Sequence, residues 1–302
     1  MTPRTAGNIP PARMSAMLDY DFMRTAFAAA GVVAVVSGAV GYFLVLRGQT
    51  FAGHALAHVG FTGATGAFLV GIAPLWGLVL MTVAAGVGMG LMGERLAQRD
   101  VAIGLVLSLA LGFGLLFLHF YTAFATQATA LLFGNVLAVE ADTVWTLAAL
   151  GTVSLAALAV ISRPLLFASL QPELAEAKGV SLRLYSVLFL AIVALATAEC
   201  AQIVGVLLVF SLMVGPAATA QRLTSGVGRG ILLSVALALA EAWLGITLAF
   251  ATDWPSSFWI TALSAGAYLL AVLPRPAWRR QAGLLPRQAM DHPAPSAAPR
   301  EG

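Results

Sequence analysis

Charge is scarce in this chain. Asp, Glu, Lys and Arg make up 10% of its 302 residues, against about 25% in soluble proteins. So few charges cannot cover a water-facing surface, which excludes a soluble globular domain. Cysteine is scarcer still. The single Cys200 rules out an internal disulfide framework and any Cys-x-x-Cys metal site. No Gly-x-x-x-x-Gly-Lys-Ser/Thr run occurs, so the chain carries no Walker A phosphate loop. Strand-length alternating segments are also missing. The apolar runs last about 20 residues, too long for a membrane β-barrel and right for spanning helices.

What is present is apolar: 60% of the residues are hydrophobic and the mean hydropathy is +0.92. In lipid, helices satisfy their own backbone, so the expected fold is an all-α, polytopic transmembrane bundle. The net charge of +3 comes largely from arginines between spans. It reports orientation, not nucleic-acid binding.

Residues 1–21 hold Pro3, Pro10 and Pro11 without an apolar run, and read as a tail rather than a signal peptide or span. Spans are expected at 22–46, from the histidine segment to about Gly71, and at 75–92, 101–120, 143–162, 231–251 and 257–273. Arg163 and Pro164 end the span at 143–162. Residues 184–220 are too long for one span and read as a tight pair broken near Glu199 and Gln202. Residues 130–135 read as a short interfacial or re-entrant helix, and 274–302 as a disordered Pro/Ala/Arg-rich tail. Glycines at 31, 38, 41, 86, 88 and 90, and the strip Ala55, Gly63, Ala67 and Gly71, suit close helix contact. This gives eight or nine spans. With nine, Arg47, Arg95, Arg99, the stretch 163–183, Arg222, Arg229 and the C-terminal arginines fall on one side. By the positive-inside rule that side is cytoplasmic, with the N-terminus outside and the C-terminus inside.

One polar interruption stands out. His54 and His58 are four residues apart, a spacing that places both imidazoles on one helical face, where they can meet one metal ion. Thr62 and Gly66 continue that stripe. The alternative is a histidine pair hydrogen-bonded to neighbouring helices for packing. Glu241, in the middle of a span, and Glu199, near a border, are the candidate carboxylate partners on a metal path. For Glu241 the competing reading is a protonated acid bonded between helices; for Glu199 it is an exposed acid at the outer mouth. His119 and Asp253 read as interfacial, and His292 lies in the tail. An intramembrane zinc protease would need His-Glu-x-x-His, and Ala55 occupies the base's place. A haem protein needs ligands on opposite faces of the ring, which a same-face pair cannot supply.

Between spans, the stretch 170–183 is the one long polar connection. Pro172 early, Glu173 and Glu176 in its body, and Lys178-Gly179 at its end describe a short capped helix outside the membrane.

Several stretches resemble the integral-membrane permeases of bacterial ABC importers for zinc, manganese and iron, the ABC-3 family. Phe22-Met23-Arg24 and Leu44-Val45-Leu46-Arg47 bound the first span as in that family. Gly53-His54-Ala55-Leu56-Ala57-His58 is similar to its Gly-Asp-Ala-Leu-Ser-His signature. Asp100-Val101-Ala102-Ile103-Gly104, the run 132–139, Pro172-Glu173-Leu174-Ala175, the run 202–209 and Pro216-Ala217-Ala218-Thr219-Ala220 follow in order. The resemblance implies a multi-pass permease over 22–273 in the bacterial inner membrane, working as a homodimer in the lipid. It implies metal received from an extracytoplasmic binding protein and ATP hydrolysed by a separate cytoplasmic ATPase. The segment 170–183, with Pro172, Glu173, Glu176 and Gly179, is implied to be the coupling region. His58 inherits a place on the metal path, while His54 stands where the family has an acid. That exchange removes a hard oxygen and adds a borderline nitrogen, shifting the expectation from Mn²⁺ towards Zn²⁺. Mn²⁺ or Fe²⁺ remains the alternative cargo.

The orientation is testable. Single cysteines at positions 95, 253 and 280, in a Cys200→Ser background, are expected to react with a membrane-impermeant thiol reagent on intact cells only at 253. Labelling at 95 or 280 but not at 253 would invert the topology.

Overall fold

The computed structural model describes residues 16–92, 96–120, 131–134 and 136–273. By contacts the chain divides into residues 1–271 and 272–302, and of the second unit only Val272 and Leu273 are described. The N-terminal tail up to residue 15, Arg95, the tail from residue 274, and Ala130 and Asn135 lie outside the described residues. Among those described there is helix and no strand.

The long helices are α1 (Asp21–Leu46), α2 (Thr50–Leu69), α3 (Pro74–Leu91), α4 (Leu96–His119) and α5 (Ala141–Leu170). A short α6 (Pro172–Ala177) is followed by α7 (Leu182–Val204), α8 (Val209–Leu223), α9 (Val227–Thr252) and α10 (Ser256–Val272). By length and apolarity six of these can cross a membrane: α1, α3, the part of α4 from Asp100, α5, α7 and α9. The apolar α10 is shorter, at 17 residues. At 20 residues α2 has the length of a span; its glycines, threonines and histidines dilute its hydropathy.

Two tight turns set the path of α2. Gly48 and Gly71 both have positive φ, +63° and +72°, which glycine adopts without a Cβ penalty. At the first, the Gln49 N–H bonds Leu44 O and the Gly48 N–H bonds Val45 O. At the second, the Ile72 N–H bonds Ala67 O and the Gly71 N–H bonds Phe68 O. Both are Schellman ends, which satisfy carbonyls that a helix terminus otherwise leaves free. Gly71 was expected on a helix-contact strip. It serves the turn instead, and no neighbour stands within reach of its absent side chain.

Helices α1, α2 and α7 form the interior. Helix α3 packs on α2 and α7, α5 on α1 and α7, and α8 and α9 on α1, while α4 packs on α2 and is otherwise largely exposed. Glycine sets the closeness of these contacts. A Cβ on Gly38 would stand 2.7 Å from Val235 Cα, and one on Gly86 would stand 2.6 Å from Leu190 O. A Cβ on Gly63 would lie 2.7 Å from the carbonyl carbon of Gly77 and 2.8 Å from Met81 Cβ. Side-chain donors cross the same contacts to backbone carbonyls: Ser234 Oγ to Gly38 O at 2.7 Å, Gln221 Nε2 to Tyr42 O at 2.9 Å, and Trp243 Nε1 to Phe27 O at 3.1 Å. In a membrane such bonds average about 0.6 kcal/mol.

Two expected borders move. Helix α5 continues through Pro164 to Leu170. Proline removes only one helical N–H, the one that would bond Val160 O, and a long packed helix absorbs that single loss. The break expected near Glu199 and Gln202 lies later, at residues 205–208. Helix α7 runs to Val204, and Gly205, at φ +89°, stops it. Beyond the stop, Val206 N–H bonds Leu131 O at 3.0 Å and Leu207 N–H bonds Leu132 O at 3.2 Å. The expected short helix at 130–135 is thus represented by one helical turn at 131–133, lying against the break. Gly134 and Gly205 meet there so closely that a Cβ on either would strike the other's backbone.

Helix ends sort into two groups. Phe68, Ala73, Trp76, Glu140, Asp142 and Gln202 line one cavity of about 510 Å³, at the end where α2, α5 and α7 approach one another. At the opposite end Arg47 bonds Ser169 and covers the Phe189 ring.

Gly63→Ala is expected to lower stability by about 1–3 kcal/mol, the usual cost of overpacking, because its new methyl meets backbone. Gly88→Ala, on a helical face with nothing within 4 Å, is expected to be neutral or slightly stabilising. Thermal unfolding of the two variants in the same detergent measures the difference.

Candidate functional site

The histidine pair lies on α2, within three turns of the Gly48 turn. Its ring centroids are 4.7 Å apart and the rings stand edge to face. Two imidazoles ligating one Zn²⁺ at the usual Zn–N distance have centroids roughly 5 Å apart, a separation close to that of this pair. The same-face expectation from the i, i+4 spacing holds.

The surroundings of the two rings differ. His54 is half-buried and meets the ring of Phe210, the second residue of α8, at 5.8 Å in another edge-to-face contact. His58 is 8% exposed, and its Nδ1 is buried without a hydrogen-bond partner. A buried ring nitrogen without a partner is uncommon in a packed interior and is free to receive a cation or a proton donor. Thr62, one turn beyond His58 on the same stripe, donates its Oγ1 to Ala110 O and ties this face of α2 to α4, while Thr65 Oγ1 donates within α2 to Phe61 O at 3.0 Å. Leu44 packs against Gly53, one residue before His54.

The two carboxylates have separate environments. Glu199 is fully buried, which overturns its reading as an exposed acid at the outer mouth. Its position on α7 turns the side chain towards α5, where Ser154 Oγ donates to Oε1 at 3.1 Å. Gly151, one turn earlier on α5, leaves room for the other oxygen, which is buried without a partner. Glu241 on α9 is 4% exposed. Neither of its oxygens makes a hydrogen bond of normal geometry, although the Ser264 hydroxyl lies beside it. That hydroxyl donates to Ser211 O at 2.8 Å. Neither acid joins the histidines. Among the described residues no group of three His, Cys, Asp or Glu side chains is arranged to hold an ion. His54 and His58 thus offer two imidazole donors, with no third His, Cys, Asp or Glu beside them among the described residues. His119 and Asp253 are exposed at helix ends.

The polar segment 170–183 also takes its expected form. Pro172 opens α6 with Glu173 in the first turn. The helix closes at Gly179, φ +81°, with Val180 N–H bonded to Ala175 O. Ala175 is fully buried against the bundle, while Glu173, Glu176 and Lys178 face outward. Three contacts were not visible in the sequence: Phe210 over His54, Ser154 on Glu199, and Arg47 on Ser169. Each joins residues far apart in the chain, and no local pattern announces them.

Residues 19–275 match the ABC 3 transport family, and the chain belongs to it. It is 27% identical to the manganese transport system membrane protein MntC of Listeria innocua, over 87% of this chain and 94% of that protein. It is 29% identical to the manganese import system permease protein ScaB of Streptococcus gordonii, over 86% and 94%. Its fold superposes on PsaBC from Streptococcus pneumoniae, solved in complex with Fab, with a TM-score of 0.79. The two are 26% identical, covering 89% of this chain and 97% of that one.

Glu199→Leu and Ser154→Ala are each expected to lower stability by about 1–3 kcal/mol. Ser154→Ala leaves the buried carboxyl without its partner. Glu199→Leu leaves the Ser154 hydroxyl unpaired. Glu199→Gln keeps an acceptor for Ser154 and is expected to stay near the parent. Melting temperatures of the three purified proteins provide the comparison.

Proposed function

We propose that this chain is the membrane-spanning permease subunit of an ATP-driven importer of divalent metal ions in the bacterial inner membrane. It works as a homodimer, takes the ion from an extracytoplasmic binding protein and is driven by a cytoplasmic ATPase. The observation that carries this reading is the His54–His58 pair, with its unpartnered His58 Nδ1, inside a fold of this family. Two donors per chain make a weak, open site. Passage favours that arrangement, since a closed tetrahedral set would hold the ion too long. A second copy can add its own pair.

Two imidazoles favour Zn²⁺ as cargo, because a borderline nitrogen donor suits zinc better than the hard-oxygen preference of Mn²⁺. Relatives named for manganese support Mn²⁺ as the second reading. Helix α6, with Pro172, Glu173, Glu176 and Gly179, is the docking element for the ATPase, within a coupling segment at 170–183 of the permease domain 22–273. Its buried Ala175 ties it to the bundle and its acids are free to meet a partner. The end carrying Arg47 and α6 faces the cytoplasm. Glu199, held by Ser154, joins α5 to α7; Glu241, its two oxygens buried without a partner, lies on α9 apart from the histidines and stays a second candidate on the path.

His58→Ala is expected to abolish uptake with normal folded yield. His54→Asp is expected to retain transport and shift preference from Zn²⁺ towards Mn²⁺. Uptake of each metal per folded transporter measures both. Normal flux of Zn²⁺ and Mn²⁺ in His58→Ala would reduce the pair to packing.

A further inference from the structure

We infer that Arg47 is a positioning residue that ties the histidine-bearing helix to the coupling helix, so that movement of α6 reaches His54 and His58. The inference rests on the proposed role of α6 as the ATPase dock.

Arg47 caps α1 and precedes α2 by three residues. Its backbone N–H bonds Phe43 O at 3.0 Å, and its side chain leaves this turn entirely. Nη1 donates to Ser169 Oγ at 2.8 Å, across 122 residues of sequence. Ser169 is in the last turn of α5 and its hydroxyl donates a hydrogen bond to Leu165 O at 2.5 Å, so it is oriented to accept from Arg47. Three residues later Pro172 begins α6. The guanidinium also lies over the ring of Phe189 on α7, 5.5 Å from its centroid, and Phe189 is fully buried. One half-buried side chain therefore touches the helix before α6 and the helix after it, while its backbone belongs to the α1–α2 turn.

The remaining links are stiff. Gln49, the residue before α2, is 7% exposed. Its carbonyl accepts the Gly53 N–H at 3.2 Å, and its N–H is fixed to Leu44 O. His54 follows within the first two turns. A planar guanidinium suits this place, since it stacks on an aromatic face and donates at its edge at the same time; an ammonium cannot do both.

The experiment uses the complete complex in proteoliposomes, with ATPase and binding protein, and reads Zn²⁺ and Mn²⁺ ions moved per ATP hydrolysed. Arg47→Ala is expected to lower that ratio at least about tenfold. Arg47→Lys, which keeps the donor but loses the stacking, is expected to restore about half of it. Ser169→Ala, a small change that keeps the fold even where Arg47→Ala does not, is expected to lower the ratio in the same direction. The double variant Arg47→Ala/Ser169→Ala is expected to be no worse than Arg47→Ala alone, because both remove one contact. A parental ratio in Ser169→Ala together with Arg47→Lys, or strictly additive losses, would overturn the inference. A separate control tests the underlying reading. Glu173→Lys/Glu176→Lys is expected to uncouple hydrolysis from transport through α6 itself. Unchanged coupling in that control would count against α6, whereas uncoupling there with parental Arg47 and Ser169 variants would count against Arg47 alone.

Discussion

Lipid gives these helices no hydrophobic reason to associate, since the acyl chains are as apolar as leucine. What holds the bundle is closeness: backbone against backbone, wherever glycine lets two helices touch. Gly38 against Val235, Gly63 against Gly77 and Gly86 against Leu190 are such contacts. They place α1, α2 and α7 at the centre and fix the position of every polar side chain the interior contains. Hydroxyl and amide donors then reach across these narrow gaps to neighbouring carbonyls, as Ser234 does to Gly38. A wider spacing would put those bonds out of reach.

Inside so tightly packed an interior, unsatisfied polar atoms mark special positions. Glu199 is half-satisfied by Ser154 and joins α5 to α7. The imidazole of His58 has no such partner at Nδ1, and it sits beside a second imidazole rather than beside a donor or a carboxylate. Other buried atoms lack a partner too, among them both Glu241 oxygens and Ser186 Oγ, so what sets His58 apart is the second imidazole beside it. The proposed metal path rests on that pairing, since two nitrogens from one chain would bind an ion without enclosing it.

The ends of the bundle divide the labour. At one end Gly134 and Gly205 let a single helical turn lie against the interruption between α7 and α8, with backbone bonds on both sides. There the acids Glu140 and Asp142 and the indole of Trp76 border an open cavity. At the other end Arg47 gathers α5 and α7 beside the turn into α2, next to the outward-facing α6. The histidine helix runs between these ends, so its position is exposed to changes at both.

Membrane class, helix positions and the histidine face were legible in the sequence because each rests on local physics: apolar length, helical period and turn chemistry. The capped form of α6 and the span borders at Arg47, Pro74 and Asp253 were readable for the same reason. Pro164 and Glu199 misled because a local signal was outweighed, by the length of a packed helix in one case and by a distant partner in the other. Ser154 turns Glu199 inward, and a long, packed helix tolerates one missing N–H at Pro164. Gly71 misled differently, serving a turn where its spacing suggested a contact strip. Which groups stand beside the histidines, which acid is buried against which hydroxyl, and how Arg47 reaches Ser169 were decided by the tertiary structure alone. These contacts join residues tens to hundreds of positions apart, and their geometry follows from where the glycine contacts let the helices cross.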